Sequence, residues 1–369
     1  MNTFMSLIVI SYENPRELPR TLFSLSPQFQ QGISADDYEV IVVDNGSKQP
    51  PSAEDFAHLG LDLTVLHMDD PVPSPVRAVN RGLNSSCGAA MGVFIDGARL
   101  ASPGLLRRSR EALTLHPRAV VGARGRYLGP LMQRRSMKYG YDQAVEDRLL
   151  EKINWTKNGY DLFSISIFDE TSRPVWHAQV GETNALFMGR PLWRELGGYD
   201  EAFRTPGGGF VNLDAWERAC NLPGVSPILL LGEATFHQFH GGVATNAASK
   251  KEVDVFRQEY IEIHGRDHKR PTVPVSFWGS FAFKPPADEF VWDTPAQLPD
   301  RMSSGPMKGL LDMSRPVHNV EQVAGKGPKR KAPVTAGSRA VRVRRAVGRR
   351  LPPRVKRVIR RTARRVRPR

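Results

Sequence analysis

Cysteine is scarce in this chain: Cys87 and Cys220 are the only two in 369 residues. Two thiols cannot build a disulfide framework or a four-thiolate zinc site, and as free thiols they suit a reducing compartment. Long apolar runs are also missing. No stretch approaches the roughly 18 apolar residues of a membrane-spanning helix. The opening run Leu7–Ile10 is far shorter than the apolar core of a signal peptide, so a cytosolic location is expected. Acids are absent from one region altogether. Of the 52 Lys and Arg, 19 lie between Lys326 and Arg369 with no Asp or Glu among them, which leaves 33 bases against 38 acids before residue 326. The body therefore carries a formal charge of −5, and the tail alone makes the chain basic at +14. What is present, 40% hydrophobic and 24% charged residues, belongs to a folded chain and excludes wholesale disorder or a collagen-like fibre.

The hydrophobic pattern alternates between strand-like and helix-like segments. MSLIVIS (5–11) is a short apolar run ending in polar SYENP, which reads as a buried strand entering a loop. Leu18, Leu22 and Leu25 recur at helical spacing over Glu17 to Phe29. YEVIVVDNGS (38–47) is a second strand closed by Asn45-Gly46, a turn-forming pair. LTVLHM (63–68), a helix-like segment from Val76 to Cys87 and MGVFID (91–96) continue the series, followed by a helix over 103–116 and a strand over 119–128. Strand, helix and strand at this spacing imply parallel βαβ units and a doubly wound α/β sheet. Such sheets bind ligands at the carboxyl ends of their strands, so Ser11, Asp44 and Asp96 are expected to converge on one cleft. The basic, aromatic stretch from Gln133 to Asp161 has weak periodicity and reads as a mobile or acceptor-facing excursion. The expected division is a catalytic domain over 1–270, with a donor half to about 130 and an acceptor half beyond it. A Pro- and Gly-rich wrap or linker follows over 271–325, then a basic tail over 326–369.

These segments carry a resemblance. IVISYENPRELPRTLFSL (8–25), EVIVVDNGS (39–47), AVNRGLNSSCG (78–88), VFIDGARL (93–100) and LGGYDEAF (196–203), in this order, resemble family 2 glycosyltransferases with the GT-A fold. The resemblance implies transfer of a sugar, with inversion, from a nucleotide diphosphate donor, a UDP-sugar first, to a hydroxyl of a glycan or glycolipid in cell-surface glycan synthesis. It also implies that Ser11, Glu13, Asp44, Asn80, Asp96 and Arg99 line the donor, and that Glu182 and Asn184 line the acceptor. Asp44 would hold the base or ribose; alternatively, Asp44 and Asn45 only shape a turn. Asp96, at the end of an apolar strand, needs a partner or a metal, or else caps the strand. A divalent cation, Mn²⁺ or Mg²⁺, is implied there, but the family's Asp-x-Asp reads Asp96-Gly97-Ala98 in this chain. Arg99 could supply part of the missing positive charge. By the same resemblance His237 or His240 would complete the metal site; a pair of structural histidines is the plainer alternative. In one continuous strand the two would face opposite ways, so both could ligate only if the chain turns at Gln238 or Phe239.

Transfer also needs a general base for the acceptor hydroxyl. Asp214, after the Pro206-Gly207-Gly208-Gly209 loop and one turn before Arg218, is the expected base, with a helix cap as the alternative. The family's acidic pair would fall on Val211 and Asn212, and an amide cannot take the proton. Trp176, Trp193 and Trp216 are candidates for sugar stacking or for the core. The tail's apolar positions, Val343, Val347 and Leu351 and then Val355, Val358, Ile359 and Val366, suit helices lying on an anionic membrane surface and place the protein at the inner face of the cell membrane. A solvated tail, or nucleic-acid binding by the same charge, are the other readings. Two further classes stay open: a nucleotide-sugar-binding scaffold without turnover, and a nucleic-acid-binding protein.

Overall fold

Seven consecutive buried residues, Met5–Ser11, form β1, and their side chains divide between two cores by the two-residue period of a strand. Ile8 and Ile10 enter one core, whereas Met5, Leu7 and Val9 enter the other. In the computed structural model β2 (Tyr38–Asp44) splits in the same way. Burial on both faces is what the near-continuous Val and Ile runs demand. The structure describes residues 3–172, 176–240, 250–283 and 307–308. All belong to the unit Met1–Pro328. The basic tail, most of the expected wrap, and Gly241 and Gly242 lie outside the described residues. No described helix is long and apolar enough to cross a membrane.

In chain order the other strands are β3 (Leu63–His67), β4 (Ala90–Phe94), β5 (Arg99–Ala101), β6 (Ala119–Leu128), β7 (Ser166–Phe168), β8 (Leu186–Gly189), β9 (Ser226–His237) and β10 (Ser276–Gly279). They make one sheet in the order β10-β9-β6-β8-β4-β1-β2-β3, with β5 paired to β9 and β7 to β6. Pairings among β1, β2, β3 and β4 are parallel, while β8 runs antiparallel to both β4 and β6. The result is a mixed, mostly parallel α/β sheet. The strand order reverses beside β1. Helix α1 (Glu17–Leu25), between β1 and β2, packs on one face, and α2 (Val76–Ser85), which leads into β4, packs on the other. Such a reversal opens a crevice at the carboxyl ends of β1 and β4.

Helix α1 ends at Leu25 rather than Phe29 because Ser26, before Pro27, is extended at ψ 155°, the conformation that proline imposes on its predecessor. Helix α3 (Leu105–Thr114) joins α1 on its face of the sheet. Helices α6 (Arg190–Leu196), α7 (Val211–Cys220) and α8 (Lys250–His264) join α2 on the other. Gln133–Asp161 is not a loose excursion. It holds α4 (Gln133–Met137) and α5 (Gln143–Ile153), the latter capped by Asp142, which accepts from the Val145 amide at 2.8 Å. Val145, Leu149, Leu150, Trp155 and Phe163 form a third apolar core with Trp176 and Phe236. Each large apolar side chain removed from water there contributes about 1.5–3 kcal/mol. The stretch after residue 270 also begins with structure, since β10 extends the sheet edge in parallel with β9. Trp176, Trp193 and Trp216 are all buried, and so are core residues without a face for a sugar.

Candidate active site

The parallel register sets the first part of the site. Ser11 pairs with Asp44, and Val9 pairs with Phe94, two residues before Asp96. Ser11, Asp44 and Asp96 thus leave the sheet at one end. Asp44 is buried and closes its own turn, accepting from the Gly46 and Ser47 amides at 3.2 and 3.0 Å and from the Ser47 hydroxyl at 2.6 Å. Glu13, exposed and at φ 50°, is fixed to the same turn: its carboxylate accepts from the Lys48 amide, and its amide donates to Ser47 Oγ, both at 2.8 Å. Both strand ends are therefore joined into a preformed rim. After Phe94 the chain turns through Gly97, where a Cβ would stand 2.7 Å from the Ile10 carbonyl oxygen; only glycine lets Asp96 lie this close to β1.

β5 then pairs antiparallel with the end of β9, placing Arg99 opposite His237. The strand stops at His237. The Gln238 amide donates to the Ala98 carbonyl at 2.8 Å, and its side chain reaches the Glu17 carbonyl and the Thr21 hydroxyl at 3.1 and 3.2 Å. The chain thus leaves the strand at Gln238, the condition under which both histidines face one way. His237 Nε2 lies 3.2 Å and His240 Nε2 3.5 Å from Asp96 Oδ2, and the two nitrogens are 3.1 Å apart.

The donor set suits a divalent ion: mutual separations of 3.1 to 3.5 Å are those of neighbouring ligands whose bonds to one ion are about 2.0–2.2 Å long. Gln133 Oε1, 2.8 Å from His237 Nδ1, can accept that nitrogen's proton and leave the Nε2 lone pair for a metal. Burial opposes charge on Asp96, but His240 and His237 outweigh it and hold its carboxyl well below the usual range. Burial brings His237 down to about 4 despite Asp96, which keeps it neutral, as a ligand must be. His240 is likewise opposed by burial, yet Asp96 raises it. Beside them Arg99 is only 6% exposed, with Nε 3.6 Å from Asp96 Oδ2. Its Nε and Nη1 have no hydrogen-bond partner among the described residues. A buried, fixed cation with free donors is a site for an anionic oxygen.

The model of the family described as "Glycosyl transferase family 2" matches residues 6–172. Residues 6–172 are a glycosyl transferase family 2 domain. None of the curated proteins matches the chain. Among solved structures, TarS of S. aureus is similar at 14% identity and TM-score 0.44, over 72% of this chain and 40% of TarS. Its 1–349 fragment, in complex with UDP-GlcNAc, is similar at 14% identity and TM-score 0.45, over 70% of this chain and 66% of the fragment. The mannosyltransferase PcManGT of Pyrobaculum calidifontis, in complex with GDP-Man and Mn²⁺, is similar at 16% identity and TM-score 0.44, over 73% of this chain and 66% of that one. The chain thus spans 40% to 66% of the length of these structures.

Glycosyl transferase family 2 covers Ser11, Glu13, Asp44, Asn80, Asp96 and Arg99; the histidines and the expected acceptor residues lie beyond the matched segment. Asn80 is occupied in binding α2 to the LGGYDE turn, donating to the Tyr199 carbonyl and Glu201 at 2.9 and 3.1 Å and accepting from the Tyr199 amide at 2.9 Å. A Cβ at Gly198, φ 72°, would stand 2.5 Å from its Oδ1. Asn184 is buried and accepts from Asn212 Nδ2 at 2.8 Å. Asp214 departs from its expected role. It is 0% exposed, with one oxygen 2.7 Å from Arg218 Nε and the other 2.9 Å from His264 Nε2. A base must meet an acceptor hydroxyl, whereas this carboxylate is sealed between α7 and α8 and joins them. Glu182 is partly exposed, and burial raises its carboxyl to about 7, with Asp169 adding to the rise and Arg99 opposing it.

Sequence reasoning missed Gln133, Arg16 and Glu146. Glu146 accepts from the Phe239 amide at 2.7 Å, and Arg16 donates to the Phe239 carbonyl at 3.2 Å while lying 3.1 Å from Glu146. One ion pair thus grips both backbone groups of the residue between Gln238 and His240. Only the Asp142 cap and the Val145, Leu149, Leu150 spacing signalled α5, which carries Glu146.

Proposed function

We propose that the protein transfers a sugar, with inversion, from a nucleotide diphosphate sugar to a hydroxyl acceptor. The observation that carries this reading is the meeting of Asp96, His237 and His240 with the partnerless donors of Arg99, at the strand ends of a family 2 domain. In this reading the rim formed by Ser11, Glu13 and Asp44 receives the nucleoside, and Arg99 donates to the diphosphate. Asp96, His237 and His240 hold a divalent cation, Mn²⁺ in preference to Mg²⁺ because two of its three ligands are imidazoles. When bound, the cation neutralises charge on the departing diphosphate. Arg99 adds a fixed positive charge that needs no reorganisation during transfer. The acceptor would be a glycan or glycolipid, reached on the side of Glu182 and Asn184. The acid-free run of bases after Lys326 would bring the enzyme to an anionic membrane surface, at about 1 kcal/mol per basic residue near it.

The test is thermal stabilisation by UDP-GlcNAc, GDP-mannose and the matching diphosphates, with and without MnCl₂, followed by release of nucleoside diphosphate. A ligand that binds only the folded state raises its stability by mass action. Stabilisation and turnover by one donor, weakened by Arg99→Ala, are expected; no response to any donor refutes the reading. A second reading, donor binding without turnover, is favoured by the amide at Asn212 and the sealed Asp214. It predicts stabilisation with no release.

A further inference from the structure

The family's acidic pair falls on Val211 and Asn212, and Asp214 is enclosed, so the expected positions leave the acceptor proton without a base. The end of β6 holds another carboxylate. β7 pairs antiparallel with β6, and Asp169, the residue after β7, donates its amide to the Gly125 carbonyl at 3.1 Å. The side chain of Asp169 then folds back onto the strand: a Cβ at Gly125 would collide with its Oδ2 and stand 3.6 Å from Asn184 Nδ2. Any side chain at 125 would push the carboxylate off β6. Asn184 in turn accepts from Asn212 at 2.8 Å, so Asp169 lies beside the amides that stand where the family has acids. Along β6 the two-residue period puts Tyr127 on the same face as Gly125. Tyr127 pairs with His237, and their rings meet edge to face with centroids 5.7 Å apart. The Asp169 carboxylate is therefore two residues of strand, roughly 7 Å, from the ring that packs against the Asp96–His237–His240 cluster.

The two oxygens of this carboxylate are used differently. Oδ1 accepts from the Thr171 and Ser172 amides at 3.1 and 2.8 Å and from the Thr171 hydroxyl at 2.9 Å. The same turn is tied to its neighbours, since the Gly125 amide donates to Ser172 Oγ and the Gly181 amide to the Thr171 carbonyl, both at 2.8 Å. Oδ2 has neither a hydrogen bond nor an ion pair among the described residues, although Asp169 is only 4% exposed. A carboxylate oxygen withdrawn from water without a partner is costly unless a ligand supplies one. Oδ1 thus fixes the group, and Oδ2 is left for a donor that the protein does not provide. Asp214 differs on this point, because Arg218 and His264 engage both of its oxygens.

We infer that Asp169 is the general base of the transfer, its Oδ2 taking the proton from the acceptor hydroxyl between Asn184 and the cluster. The inference rests on the glycosyl-transfer reading above. In the step, the acceptor oxygen forms a bond to the anomeric carbon and its proton passes to Asp169 Oδ2. The bond from that carbon to the diphosphate oxygen breaks, and the electron pair leaves with the nucleoside diphosphate. No oxidant or further reactant is required.

The test uses the full chain with MnCl₂ and the donors UDP-GlcNAc and GDP-mannose, reading release of nucleoside diphosphate with water as the acceptor. Asp169→Asn keeps an oxygen for the Thr171 and Ser172 amides and puts a nitrogen that cannot take a proton in place of Oδ2. It is expected to lower kcat by about 100-fold or more, while the Kd for UDP or GDP changes less than twofold and the protein still melts cooperatively. Asp169→Glu and Asp169→Gln, of equal size, repeat the comparison with a longer side chain: the glutamate should be faster by at least about tenfold. Retention of kcat within threefold by Asp169→Asn overturns the assignment, as do equal rates for the glutamate and glutamine variants. A loss of diphosphate affinity equal to the loss of kcat also overturns it and would make Asp169 a donor-binding residue. If wild type itself turns over neither donor, the transfer reading fails and the base falls with it.

Discussion

Removing the charge of Glu182 should make the folded protein more stable, by an amount that depends on pH. Below about 4.5 its carboxyl is protonated in both the folded and the unfolded chain, so it contributes nothing to the difference between them. Between 4.5 and about 7 the unfolded chain ionises while the folded one keeps its proton, so folding stability falls as pH rises. Above about 7 the loss is complete. A tenfold change in proton affinity is worth about 1.4 kcal/mol, and with some relief from partial exposure the penalty at pH 8 is roughly 2 to 3 kcal/mol. Glu182→Gln has no such titration. It should therefore match wild type near pH 4 and exceed it at pH 8 by that amount, or on the order of 5 °C in Tm. Calorimetric melts or denaturant titrations at pH 4, 6 and 8 would read the gap directly. A difference that does not change with pH, or a variant less stable than wild type at pH 8, would refute the electrostatic reasoning.

Glu146→Ala leaves Arg16 with Glu17 and Asp147 but frees the Phe239 amide; a loss of about 3 kcal/mol in denaturant stability is expected. With His240 no longer held, Mn²⁺ affinity should fall about 10- to 100-fold in a direct titration, as for a residue supporting a ligand; unchanged affinity would show that the grip on Phe239 does not position the cluster. Asp214→Asn should cost about 2 to 3 kcal/mol by stranding Arg218 and His264, yet leave diphosphate release within threefold of wild type below its melting temperature. A kcat loss with stability intact would return Asp214 to the mechanism.

The frame of the site was legible because it rests on local pattern. Unbroken apolar runs at 5–11 and 38–44, each stopping at a polar residue, identify parallel strands and hence the shared end from which Ser11, Asp44 and Asp96 emerge. β6 was readable over its whole length, 119–128. What stayed hidden depends on contacts between distant segments. A strand period alone turns His237 and His240 apart; the turn that reunites them comes from Gln238 binding Ala98, Glu17 and Thr21, more than a hundred residues earlier. Asp214 reads as an available acid until α8 brings His264 against it, fifty residues later. β8 escaped notice because its four residues continue the apolar ALFMG segment without alternation or a turn signal. The charged residues of α4 and α5 concealed a narrow apolar stripe that packs beneath them.

The central claim is that Asp96, His237 and His240 act as one metal site facing the diphosphate, and Mn²⁺ binding to the full chain in the presence of UDP or GDP, followed by electron paramagnetic resonance, tests it most directly. One bound ion per chain is expected in wild type, with affinity reduced at least about tenfold by His237→Ala and by His240→Ala. Tight binding of the diphosphate that is indifferent both to Mn²⁺ and to the two histidines would contradict the account.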